Sequence, residues 1–212
     1  GESKSTKILD FNEGNGLFMS GERKILFVDG NYSNFYVVQL KNSDSNFTVN
    51  GSKGWQITSG EIGTDTVVGF KRFEFIDGTL ALDIDPGDTA GQAYRLYQAA
   101  FARTPDMPGV AYHMNDMESN GLALWNIANN FLASPEFKSK YGESPTDEEY
   151  VNLLYQNVLG RSADPVAEVG WYREQFDTGA MDWAAALIGF AESPENVSLV
   201  APQIEGGIWM PF

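Results

Sequence analysis

Three places in this chain hold residues whose types and spacing suit chemistry. Asp83, Asp85 and Asp88 fall within six positions around Pro86-Gly87. Three carboxylates so close together suit one hard cation such as calcium, which takes oxygen ligands, and a bound ion there would pin the preceding sheet to the following helix. The same residues also make a capped hinge, with Asp88 as an N-cap and Pro86-Gly87 as the turn. Gly60-Glu61-Ile62-Gly63-Thr64-Asp65-Thr66-Val67-Val68 is a single degenerate copy of the glycine-rich calcium nonapeptide, with Glu61 where a second glycine belongs. In the repeated form neighbouring turns share their ligands, so a lone copy lacks part of the set and reads as a plain β-turn in which Asp65 bonds nearby amides.

His113 is the sole histidine. Any base-nucleophile relay has to run through it, and a multi-histidine zinc site is ruled out. No H-E-x-x-H, G-x-S-x-G, phosphate-loop or dinucleotide glycine pattern occurs. Cysteine is absent, which removes disulfides and thiolate metal ligands together. Glycosidase-type carboxylate pairs stay open, because 29 acidic residues offer many pairs and a sequence gives no separations. The expectation is a chain that is not an enzyme, with no catalytic residues and calcium as the one cofactor to consider.

Composition narrows the partners. A net charge of -15 and a pI near 4.3 repel phosphate backbones and anionic lipid, and no basic arm reverses this locally. Nucleic acid is not expected as a partner. The longest small-apolar run, Ala184 to Ala191, is far short of the roughly 20 residues a membrane helix requires, so no membrane insertion is expected. At 212 residues and 42% hydrophobic the chain has ample material for packed cores.

The elements that must position these residues fall into two regimes. From Ile8 to Leu82 β-branched and aromatic residues alternate over short distances between Gly, Asn, Asp and Ser clusters, and Asp77-Gly78 is a two-residue hairpin signal. After Asp88 the period becomes helical. Ala93, Leu96, Tyr97, Ala100 and Phe101 form one i, i+3, i+4, i+7, i+8 stripe. Val151, Leu154, Tyr155, Val158 and Leu159 repeat it at an offset of 58 residues, followed in each copy by Arg103 or Arg161 and Asp106 or Asp164. One residue further along, Phe131, Ser134, Pro135 and Glu136 recur as Phe190, Ser193, Pro194 and Glu195. Such duplication describes a supersecondary unit that buries its face against its copy.

The fold class is therefore α+β: an antiparallel β-meander or sandwich over residues 1–86, then an all-α two-repeat bundle over 87–205, then a tail at 206–212. The repeats cover about 89–142 and 146–200, with seven or eight helices in all. Thr146 with Glu149 predicts a capping box, and Ser134-Pro135, Asp164-Pro165 and Ser193-Pro194 each predict an N-cap before a first-turn proline. Arg103 and Arg161 are expected to reach Glu136 and Glu195 and fix the docking of each Ser-Pro-Glu helix. Trp125 and Trp183 recur four residues after Gly121 and Gly179 and are expected in the core between the copies.

The string Leu154-Tyr155-Gln156-Asn157-Val158-Leu159-Gly160-Arg161, with Asp164, Trp171, Gly179 and Ser193-Pro194-Glu195, resembles a bacterial domain of unknown function described as phycobilisome-linker-like. The first copy is Tyr94 to Arg103 through Ser134-Pro135-Glu136-Phe137, with Ala102 in place of Gly160 and Phe137 in place of Asn196. The preceding Gly63-Thr64-Asp65-Thr66, Arg72-Phe73-Glu74-Phe75 and Asp77 to Asp83 are similar to the β-rich stretch before this domain in type I-secreted repeats-in-toxin and surface-layer-associated proteins. Gly206 to Phe212 looks like the terminus such an exporter reads, and the polar start without a signal peptide fits that route or a longer precursor. The resemblance implies an extracellular or cell-surface, non-catalytic module for protein assembly or attachment. Its partners would be other surface or secreted proteins or further copies of itself, with calcium as a stabiliser. A carbohydrate-binding adhesin using exposed aromatics, with glycans as partners, is the second reading.

Overall fold

The computed structural model describes residues 71–75 and 78–211, preceded by seven short strand segments between Ile8 and Val67. The chain divides into two compact units: Gly1–Asp83 together with Gly206–Phe212, and Ile84–Glu205.

In the first unit the strands are β1 Ile8–Leu9, β2 Met19–Ser20, β3 Arg23–Lys24, β4 Phe35–Val37, β5 Asn46–Val49, β6 Trp55–Ser59, β7 Gly63–Val67, β8 Arg72–Phe75, β9 Gly78–Ala81 and β10 Ile208–Pro211. β5, β6 and β7 pair antiparallel in sequence, with β1 added to β7 in parallel. β8, β9 and β10 form a small antiparallel sheet in which Phe73 faces Leu80 and Ile208 faces Ala81. β4 joins β8 in parallel. Asp77 of the expected hairpin signal, and Gly60 to Ile62 and Val68 of the nonapeptide, lie outside the described residues, whereas Asp65 lies within strand β7.

Within the stretch expected as a tail, Ile208–Pro211 form a strand paired with β9. Ile208 and Met210 are buried while Trp209 between them is half-buried, the period-2 alternation of a strand with one covered face. Gly207 makes the turn into β10 at φ +91, and any side chain there would also strike Leu82. Two adjacent glycines disguised this strand as loose chain. Pro211, which has no N–H to donate, is exposed at the strand's end.

The second unit contains eight helices: α1 Thr89–Phe101, α2 Met107–Glu118, α3 Leu124–Ala133, α4 Pro135–Tyr141, α5 Asp147–Leu159, α6 Glu168–Asp177, α7 Trp183–Ala191 and α8 Pro194–Ile204. The first four and the last four follow the sequence duplication. One hydrophobic cluster takes residues from both copies, including Leu96, Ile127, Leu154 and Leu187, all essentially inaccessible. At each of these leucines truncation to alanine would cost about 2–5 kcal/mol, so the shared interior, more than helix propensity, holds the unit together.

The helix boundaries follow the capping chemistry. Thr146 and Glu149 form their reciprocal box before α5. Ser134 and Ser193 accept from the backbone N–H of Phe137 and Asn196, with proline following each. Asp106 caps α2 through the Gly109 N–H. Its counterpart behaves differently: Asp164 accepts from the N–H groups of Val166 and Ala167 in a turn, and α6 starts only at Glu168. α1 and α5 both end in left-handed residues, Ala102 at φ 50 and Gly160 at φ 69.

Candidate functional site

Each copy contains a Tyr-Arg-carboxylate cluster built by the end of its first helix. In the first, the Arg103 Nε donates to Glu136 at 2.6 Å, and its Nη2 donates to the Tyr97 hydroxyl at 2.9 Å. The Tyr97 hydroxyl donates in turn to Asp106 at 2.5 Å. In the second, the Arg161 Nε and Nη2 hold Glu195 at 2.8 and 3.0 Å, while Nη1 and Nη2 hold Glu168 at 3.0 and 2.9 Å. Both guanidinium groups lie over their tyrosine rings, at 5.0 and 4.7 Å from the centroid. Glu168 thus takes the place that Asp106 has in the first copy, because the later start of α6 carries Asp164 away from the arginine.

The electrostatics of both clusters are those of docked ion pairs. Burial, then the hydrogen bond to Asp106, raises the Tyr97 phenol above its ordinary value. Burial, then the charge of Glu168, pushes Tyr155 up to about 12. The hydrogen bond from Tyr97, then that from Gly109, lowers Asp106, and Arg161 lowers both Glu168 and Glu195. An acid or base catalyst is tuned toward neutrality. The carboxylates shift the other way, as charges already paired, and burial keeps the phenols neutral, so the geometry suits fixing α4 and α8 in place.

His113, on α2, has its ring among aromatics, 4.6 Å from Phe131 and 5.1 Å from Tyr112 between centroids. Its Nδ1 is 3.6 Å from Asp116 Oδ2, too long for a hydrogen bond. Burial lowers its pKa, and the nearby Asp116 charge offsets this only in part.

The three aspartates of the bend are not gathered around one point. Asp83 faces Arg72, which donates through Nε at 2.5 Å and through Nη2, and both side chains are buried. Asp85 is exposed, and its carbonyl accepts from Arg95 and from the Asp88 N–H. Asp88 is the N-cap residue of α1, although its carboxylate makes no capping bond. Among the described residues no group of three or more His, Asp or Glu side chains is arranged to hold a metal ion.

What sequence reasoning missed is the clamp that holds this bend. Arg95, 1% exposed, donates through Nε and Nη2 to the two oxygens of Glu192 at 2.6 and 2.9 Å, and to the carbonyls of Ile84 and Asp85 at 2.7 and 3.1 Å. Glu192 also accepts from the Gly87 N–H. The signal was available: Arg95 stands where the second copy has Leu153, and Glu192 where the first has Ala133. A charged pair that breaks an otherwise faithful duplication marks a role peculiar to one copy.

Trp125 is not a core residue. It is 47% exposed and its indole N–H donates to Asp182, the N-cap residue of α7, at 2.8 Å. Trp183 is more enclosed, stacked on Tyr150 at 4.4 Å and donating to Asp147 at 2.7 Å. Tyr112 on α2 and Trp171 on α6, 59 positions apart, form a second matched pair, 63% and 47% exposed, because the rings that follow them, His113 and Tyr172, pack on the equivalent Phe131 and Phe190. Each stands edge-to-face on the residue that follows, at 5.1 and 4.9 Å, with both interplanar angles 86°.

Residues 128–200 match the model of a family described as a domain of unknown function (DUF4214). The match takes in the end of the first copy and all of the second. No curated protein matches the chain. Among the described residues no helix is long and apolar enough to cross a membrane.

Proposed function

We propose that this chain is a non-catalytic module of an extracellular or cell-surface bacterial protein, working in protein assembly or attachment. The observation that supports it best is the matched exposure of Tyr112 and Trp171. Large aromatic side chains left in water at the same place in both copies are a cost to a free protein, and they are the residue types that carry binding energy at protein interfaces. The duplicated arginine clusters fit this reading, since they make each aromatic-bearing repeat a rigid platform. The phycobilisome-linker-like, repeats-in-toxin and surface-layer resemblance supplies the setting, with secretion by a one-step exporter and an antiparallel β-meander or sandwich over residues 1–86. Calcium belongs to the proposal as a stabiliser of the bend, where Asp83 would exchange its contact with Arg72 for the ion.

Light scattering over a concentration series, alone and mixed with secreted surface proteins of the same cell, tests assembly. Tyr112→Ser with Trp171→Ser should abolish the larger species while leaving helical content unchanged; larger species that persist in that variant would refute the reading. Calorimetric titration of metal-stripped protein with millimolar calcium tests the ion separately, and neither heat nor a shift in melting temperature would remove it. Exposed Trp125 and Trp171 favour one second reading, stacking on sugar rings, which glycan-array binding lost on Trp171→Ser would support.

A further inference from the structure

The clamp on α1 has an unfilled counterpart on α5. At the 58-residue offset Ile84, Asp85, Arg95 and Gln98 correspond to Gly142, Glu143, Leu153 and Gln156. Around α1 two segments converge: the bend 84–87, held by Arg95, and the last turn of α8, where Gln203 accepts from the Tyr94 hydroxyl at 3.1 Å. α4 ends at Tyr141, whereas α8 continues to Ile204. One loop, 142–145, therefore stands where α1 has two segments.

The space left over is a cavity of about 490 Å³ between that loop and α5, its wall including Tyr141, Glu143, Ser144, Glu149, Leu153 and Gln156. Leu153 contributes apolar wall where Arg95 contributes a cation. Among the described residues no side chain donates to the carbonyls of Gly142 and Glu143, the counterparts of the two that Arg95 occupies. Two carboxylates stand at the wall: Glu143, 3.9 Å from the Lys138 ammonium, and Glu149, whose Oε2 already accepts from Thr146 in the capping box.

We infer that this cavity is a binding site for an arginine side chain presented by a basic segment of a partner protein. The first copy supplies the template: there a guanidinium bonds two loop carbonyls and one carboxylate, a planar fork that an ammonium does not reproduce; Ala133 stands where Glu192 would answer, so the carboxylate at this site is Glu143 of the loop. The arginine is supplied by a different protein rather than a second copy, because this chain, of net charge -15, has no basic arm to offer; association of copies through the exposed aromatics is a separate contact. The inference rests on the assembly reading and names the chemistry of one contact within it.

The test is an NMR titration of the isotopically labelled full chain with the blocked tripeptide acetyl-Gly-Arg-Gly-amide and with its citrulline counterpart, which has the same shape and no charge. Saturable shifts confined to the amides of 141–156, with the citrulline peptide at least about tenfold weaker, are the expected result. Leu153→Arg should fill the cavity from within, as Arg95 does in the first copy, and abolish the shifts. Glu143→Lys, on an exposed loop side chain and without demand on the core, should weaken binding by a similar factor. Equal response to both peptides, shifts scattered over other carboxylates, no shifts at all, or binding that survives Glu143→Lys would each overturn the site. Failure here with oligomers still seen by light scattering would leave assembly intact and remove only the arginine pocket.

Discussion

Replacing Arg95 by leucine, the residue that its own duplicate carries, should be the most damaging single polar change in the helical unit. The guanidinium is 1% exposed and gives four hydrogen bonds, two to the Glu192 carboxylate and two to carbonyls of the bend. Removing one member of a buried pair costs about 3–5 kcal/mol, chiefly through the charge left behind. Glu192 is 16% exposed at its side chain and keeps the Gly87 N–H, and the bend at Asp85 to Gly87 is open to water, so both stranded partners are partly rehydrated. The expected loss is therefore at the lower end, about 3 kcal/mol. Adding Glu192→Ala creates the Leu/Ala combination present at 153 and 133, removes the stranded charge, and should recover about 1–2 kcal/mol of that loss. Urea unfolding at pH 7 followed by circular dichroism would show the midpoint falling for Arg95→Leu at unchanged slope, then rising for the double variant. A single-variant loss below about 1 kcal/mol, or a double variant weaker than the single, would refute the clamp.

Ala102 holds a left-handed conformation that costs a side chain about 1–2 kcal/mol, so Ala102→Gly should raise stability by about 0.5–1 kcal/mol after the extra unfolded-state freedom of glycine is counted, and Gly160→Ala should lower it; paired thermal melts decide. Arg161→Ala should lower the melting temperature by several degrees and disorder α8 first, seen as faster hydrogen exchange at Val197 to Val200 than elsewhere; an unchanged melt would show the cluster to be mere surface decoration. Acid should act in two stages. The folded pKa of His113 is depressed below its usual 6.5, so its contribution is complete above about pH 6.5 and declines as pH falls through the folded value; His113→Phe should flatten that stage. Asp106, Glu168 and Glu195 are also lowered, so their share is present above the ordinary carboxylate range of about 4–4.5 and is lost below it, a stage that Arg161→Ala should shrink.

Much of the helical unit was legible because its signals are local. The 3.6-residue stripe from Ala93 to Phe101 and its copy, the Thr146-Glu149 box and the Ser-Pro helix starts each depend on neighbours within one turn, and the docking of Arg161 on Glu195 could be argued from duplication alone. What failed needed knowledge of three dimensions. Trp125 shares its sequence position with Trp183, but its partner is Asp182 and not a Tyr150-like ring, so equal position gave unequal burial. Asp164 resembles Asp106 in type and spacing, yet the Pro165 to Ala167 turn delays α6 and hands the arginine to Glu168. At the bend, the partners of Asp83 and of the Ile84 carbonyl are too distant in sequence for spacing to announce: Arg72 lies eleven residues before Asp83, and Arg95 eleven after Ile84. Strand β10 was missed because the neighbour that makes it a strand, β9, is far away in sequence.

That last pairing makes the whole helical unit a loop in the topological sense, inserted between two adjacent strands. Its ends are drawn together internally by Arg95 on Ile84 and by Tyr94 on Gln203, so once folded it acts as a short bridge between Ala81 and Ile208. Unfolded, the same segment would be a tether of more than a hundred residues, and closing it would cost about 4 kcal/mol of chain entropy. Melting the helices should therefore release β10 as well, so that the β9–β10 pairing is lost with the helices rather than after them.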